Sequence, residues 1–129
     1  MAHLQVTGGA RLSGDVRPSA NKNAVLPVLC ASLLTREPVT LHRVPNITDV
    51  RKLLAFFQSL GTRIEGSLED GTMTLHHEHL AFDERSQRLP GQMRSSIMLV
   101  PPLLARFGVA RIENDVKGCT LGVREIDPH

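Results

Sequence analysis

The chain has 129 residues, 41% of them hydrophobic and 22% charged, which suffices for one compact domain with a real core and excludes two substantial ones. Fifteen basic residues against thirteen acidic leave a net charge of +2, and Trp and Tyr are absent, so neither a nucleic-acid surface nor base stacking is expected. No apolar run reaches membrane-spanning length or resembles a signal peptide, and two distant cysteines without a C-x-x-C pattern point to a reducing cytoplasm.

In chain order, HLQVTG and ARLSGDVR are predicted as two short strands separated by the turn Gly8-Gly9. A polar hinge, 17–23, precedes the apolar run AVLPVLCASLL, predicted as a helix capped by Asn23, with Pro27 at the edge of its first turn. PVTLHRV follows as a strand. The clearest helix is ITDVRKLLAFFQSL: Ile47, Val50, Leu53, Leu54, Phe57 and Leu60 share a face, Asn46 is the expected cap, Asp49 places negative charge in the first turn, and Gly61 is the stop. TRIEG and MTLHH are predicted as strands around the turn at Glu69-Asp70-Gly71. A second apolar run, MRSSIMLVPPLLARFG, must kink or break at Pro101-Pro102 if helical, and VARIEN reads as a further strand.

NKNAVLPVLCASLL and MRSSIMLVPPLLAR are alike in kind, with a cation, a short polar step and an apolar helix, and each is followed by a strand. Both runs, 24–34 and 96–107, are apolar around most of their circumference and so are expected to be buried on every side, whereas the 47–60 helix has a wet face. These features imply an α/β (α+β) repeat with one central and one outer helix per unit, which a single unit cannot bury alone.

Three positions could carry chemistry. Lys22-Asn23 and Arg94-Ser95-Ser96 each place a cation at the start of a central helix, where backbone amides and the dipole attract an anion; taken alone each reads more readily as a solvated cap, and their shared place in the repeat strengthens the anion reading. Cys119, between glycines and near Lys117 and Arg124, suits a nucleophile or proton donor, or else a small apolar filler; Cys30, inside an apolar run, reads as filler. His76-His77-x-His79 invites a metal, with His77 and His79 on one strand face, but no Cys or carboxylate cluster accompanies it and no metal or cofactor is expected.

SANKNAVLPVLCASLLTREPVTLHRVPNITDV resembles the N-terminal signature of the UDP-N-acetylglucosamine 1-carboxyvinyltransferases, or enolpyruvyl transferases. MRSSIMLVPPLLARFG and GCTLGVREIDPH resemble two further motifs of that family, in the same order and at the same spacing. The resemblance implies an inside-out α/β barrel of two domains, each of three units with central helices. On this reading residues 1–20 are strands belonging to the second domain, and 21–129 are two of the three units of the other. The chain is then an N-terminal fragment or truncated relative.

The implied chemistry transfers the enolpyruvyl group of phosphoenolpyruvate to the 3-hydroxyl of UDP-N-acetylglucosamine, releasing phosphate, an early step in making the cell-wall peptidoglycan. The resemblance assigns Lys22 and Arg94 to phosphoenolpyruvate, Asn23 to the sugar, Cys119 to proton donation and fosfomycin alkylation, Arg124 to a closing loop, and Asp127 to the uracil. Lys117, Glu125 and Pro128 depart from the motif, the last two where the base would bind. They leave open another nucleotide acceptor, such as UMP. A non-catalytic module binding an anion or a partner protein is the alternative of a different class. Self-association or a missing C-terminal half would complete the apolar core.

Overall fold

Alternation of apolar and polar residues builds the sheet. In the computed structural model, which describes residues 3–81 and 94–110, β1 (Val39–Leu41), β2 (Arg63–Ser67) and β3 (Thr72–His76) form an antiparallel sheet in the order β1-β3-β2. The register sets Val39 and Ile64 on either side of Leu75, and Leu41 and Gly66 on either side of Met73, so these residues share the inner face. Thr40 and Thr74 pair on the outer face, hydroxyl to hydroxyl at 2.9 Å. Gly66 has φ +94°, and a Cβ there would lie 2.3 Å from the Thr72 carbonyl oxygen, so this position of β2 accepts only glycine.

The helices α1 (Lys22–Ser32) and α2 (Thr48–Leu60) pack on that face and on each other. α2 buries Val50, Leu53, Leu54, Phe57 and Leu60 of the stripe expected from its spacing, together with Phe56, while Ile47 is half-buried. It ends at Gly61, left-handed at φ 103°, whose N–H bonds back to the Phe57 and Gln58 carbonyls. Its start differs from expectation: Ile47 is the cap residue, no side chain caps it, and Asn46 lies one position too early.

α1, by contrast, begins earlier than predicted. Asn21, not Asn23, is the cap, its Oδ1 accepting the Asn23 N–H at 2.8 Å. Pro27 therefore falls inside the second turn and offers no N–H to the Asn23 carbonyl; Asn23 is exposed, so water can serve that carbonyl. The second apolar run divides into a 3-10 turn (Arg94–Leu99) and α3 (Val100–Phe107). Pro101 and Pro102 do not break the helix; they occupy its first turn, where their missing N–H groups have no helical partner to lose.

Two expectations change. The segment 3–20 forms no strand, and Leu4, Val6, Leu12 and Val16 are each at least 82% exposed. An isolated alternating segment gains nothing from strand geometry without a neighbour to bond, and none of the described residues pairs with it. The central helices are also covered on one side only. Leu26, Leu29, Cys30, Leu99 and Leu103 are buried while Val28, Leu34, Ile97, Met98 and Leu104 are exposed, because one described unit and a single further helix cannot surround either of them. The strand expected at VARIEN lies mostly outside the described residues.

Candidate functional site

Lys22 is the first helical residue of α1 and is half exposed. Its Nζ lies 2.5 Å from Oδ2 of Asp49, in the first turn of α2. The starts of two helices thus meet in one ion pair. Sequence reading singled out Lys22 but took Asp49 only as a favourable first-turn charge on its own helix. Asn23 is exposed beside Lys22. The backbone amides at this end are largely used: Asn21 accepts the Asn23 N–H at its side chain and the Ala24 and Val25 N–H groups at its carbonyl. Attraction for an anion therefore rests on the lysine ammonium and the helix dipole rather than on free amides. A cleft of about 410 Å³ opens alongside, lined by Ala20, Asn21, Ala24, Val28, Leu41 and Arg43 among others, with Arg43 held in the left-handed region at φ 56°.

Arg94 opens the 3-10 turn, which packs against α1; Ser96, two residues on, is buried. The segment that opens with the second expected anion position therefore packs on α1, the helix that opens with the first. Cys119, Arg124 and Asp127 lie outside the described residues. Cys30 is buried in α1, and loss of hydration pushes its thiol up to about 12, as suits an apolar filler and not a nucleophile.

The three histidines do not converge. His77, just past the end of β3, is fully buried, whereas the side chain of His79 is 87% exposed. The ring of His77 lies between Ser32 Oγ, 2.9 Å from Nε2, and Thr62 Oγ1, 2.8 Å from Nδ1, and meets Phe57 edge-on at 5.3 Å. Ser32 gives its one hydroxyl proton to the Leu29 carbonyl at 2.7 Å. His77 Nε2–H must then be the donor to Ser32, and Nδ1 the acceptor from Thr62. Burial first, then the charges of Arg106 and His76, lower its pKa to about 4, so it is neutral near pH 7. His76 accepts from the Arg63 guanidinium at Nδ1, 2.9 Å away, and its Nε2 faces Glu78 at 3.6 Å. Among the described residues no three His, Cys, Asp or Glu side chains are grouped to hold a metal ion.

Sequence reading also passed over Arg106. From the last turn of α3 its guanidinium donates to the Leu33 and Thr35 carbonyls at the end of α1, at 3.1 and 3.0 Å, and to the His77 carbonyl at 2.6 Å. Burial, and next the charge of Arg36, make it a weaker base than usual.

A family profile described as EPSP synthase (3-phosphoshikimate 1-carboxyvinyltransferase) matches residues 6–129. The chain belongs to the EPSP synthase family of enolpyruvyl transferases. Among solved structures it is similar to the enolpyruvyl transferase NikO from Streptomyces tendae, with a TM-score of 0.66 and 30% identity. The match covers 80% of this chain and 24% of that one, so the chain spans about a quarter of its relative's length. The mixed helix-and-strand architecture is consistent with an enolpyruvyl transferase fold. No described helix is long and apolar enough to cross a membrane. The profile's description names 3-phosphoshikimate and that of the similar structure names no acceptor, so neither comparison points to UDP-N-acetylglucosamine in particular.

Proposed function

We propose that this chain is the N-terminal part of an enolpyruvyl transferase that moves the enolpyruvyl group of phosphoenolpyruvate to the 3-hydroxyl of UDP-N-acetylglucosamine. Residues 21–129 would form two of the three units of an inside-out barrel domain, and residues 1–20 would add strands to the other domain. The observation carrying this reading is the cation at the start of α1, Lys22, with the turn that begins at residue 94 packed on the same helix. A phosphate–carboxylate substrate needs several converging cations, and the two helix starts are suited to supply them. Lys22 and Arg94 would hold phosphoenolpyruvate, Asn23 the sugar, and Arg124 and Asp127 the closing loop and the base. Cys119 would protonate the methylene carbon as the acceptor hydroxyl attacks C2; the resulting methyl group then returns a proton to the Cys119 thiolate as phosphate leaves, carrying the hydroxyl proton, which restores the C=C bond of the enolpyruvyl ether. Exclusion of water by a closing loop would protect the intermediate. A cytoplasmic setting fits these phosphorylated substrates.

A second reading has support of its own. The matching profile is described by a shikimate acceptor and the similar structure only as an enolpyruvyl transferase, so another acceptor, such as UMP, is equally open. Titrating the chain with UDP-N-acetylglucosamine, UMP and shikimate 3-phosphate, each with phosphoenolpyruvate present, separates these readings. Binding of phosphoenolpyruvate that weakens at least tenfold in Lys22→Ala is expected, with UDP-N-acetylglucosamine the best partner. Equal binding by Lys22→Ala would remove the central observation. The isolated chain should release little or no phosphate, because transition-state stabilisation needs groups from both sides of the cleft.

A further inference from the structure

α1 packs against the Arg94–Leu99 turn, which leads directly into α3. Leu99 and Leu103 are buried against the core, but apolar packing is not directional and would tolerate some sliding or rotation of one helix on the other. The Arg106 guanidinium is directional. It donates to the carbonyls of Leu33, the C-cap of α1, of Thr35 in the turn that follows, and of His77 just past β3, at 2.6 to 3.1 Å. Leu33 is the C-cap of α1, so the guanidinium stands at the negative pole of that helix's dipole. α1 has no basic residue in its own last turn, so Arg106 supplies that charge from a different helix.

Pinning these ends has an effect at the other end. From Lys22 to Leu33 an α-helix rises about 16 Å. From Arg94 to Arg106, half 3-10 and half α, the rise is about 22 Å. Arg106 ties the end of α3 to the C-cap of α1 and the turn before α3 also lies against α1, so the two segments run the same way, and by these rises their starts fall within about 6 Å of level along the common axis.

We propose that Arg106 is a positioning residue: by bridging the end of α3 to the ends of α1 and β3, it sets the first turn of α1 and residues 94–96 side by side at the opposite end, where one anion can meet both. The geometric part stands alone; the anion rests on the function proposed above. Arg106 itself is a helix length away from that anion and does not touch it.

Two measurements on the 129-residue chain test the two parts separately. For the first, a nitroxide is attached to Ile97→Cys in a Cys119→Ser background, with Cys30 protected by burial. Amides in the first turn of α1 should relax faster than those in its last turn, and Arg106→Gln should abolish that gradient. A gradient unchanged in Arg106→Gln overturns the proposal. For the second, phosphoenolpyruvate is titrated into chains that retain Cys119. Amides 22–25 and 94–96 should shift together with one dissociation constant, and Arg106→Gln should weaken it at least tenfold and separate the two responses. Leu60→Ala, on α2, serves as a control for lost stability and should leave the titration unchanged. Equal weakening by Leu60→Ala at matched melting temperature would reduce Arg106 to a general stabiliser and overturn its positioning role. If the parent chain shows the gradient but no response to phosphoenolpyruvate, the proposed function fails while the register stands.

Discussion

His77 shows how a single side chain changes meaning once its surroundings are known. In sequence it belongs to a metal-like cluster; in the fold it is a neutral imidazole with both ring nitrogens bonded and an aromatic edge against it. Its pKa is lowered from the ordinary 6.5 to about 4, so the unfolded chain binds a proton here more readily than the native one. Stability should be complete above pH 6.5, decline as pH falls through 6.5, and stop declining on this account near pH 4. The full shift corresponds to about 3 kcal/mol. Urea unfolding of the parent and of His77→Gln across that range checks it. The variant should be less stable at pH 7 by about 1–3 kcal/mol and should lack this part of the pH slope. An identical slope in both proteins would assign it to other groups. The same dependence on surroundings limited the reading of the site. Lys22 was found because a cation before an apolar helix is a local pattern. Asp49 and Arg106 were missed because their partners lie far away in sequence, and neither position is marked by its neighbours.

Among the elements, those built on local periodicity were the readable ones. α2 follows from its apolar spacing and Gly61, and the β2–β3 hairpin from alternation around Asp70-Gly71. The starts of α1 and α2 were misplaced because several Asn residues compete as caps and only backbone geometry selects among them. The 3–20 segment has the alternation of a strand but no partner among the described residues, and a strand is a property of a pair. Gly66 is the point where the hairpin is most exacting. Gly66→Ala would set a Cβ 2.3 Å from a backbone oxygen at a φ that alanine avoids. The expected loss is at least about 2 kcal/mol, read as a lower melting temperature by circular dichroism. An unchanged melting temperature would mean that β2 can shift away from Thr72 at little cost.

At the scale of the whole molecule, the apolar residues that remain outside are the dominant feature. Val28 and Leu34 of the α1 region and Ile97, Met98 and Leu104 of the second run are 38–57% exposed. Contiguous apolar surface of several hundred Å² is rarely left in water, at about 25 cal/mol per Å². The isolated chain is therefore expected to self-associate, or to bind a dye specific for exposed apolar surface. Size exclusion with light scattering should give a mass above the 14.2 kDa of one chain. A monomer of that mass that does not bind the dye would count against this expectation.

The strand order β1-β3-β2 also carries a consequence for the route by which the chain reaches its fold. β2 and β3 are joined by residues 68–71 and can pair as soon as that short turn closes. β1 meets β3 only across a loop that contains all of α2 and β2, and closing a loop of about thirty residues costs about 3 kcal/mol of chain entropy. The hairpin should therefore form first and act as a template on which the three residues of β1 dock last, once α2 has collapsed onto the sheet. In native-state hydrogen exchange, the amides of β1 should open at lower free energy than those of β3, so the strand leading towards the Lys22–Asp49 pair would be the first to detach.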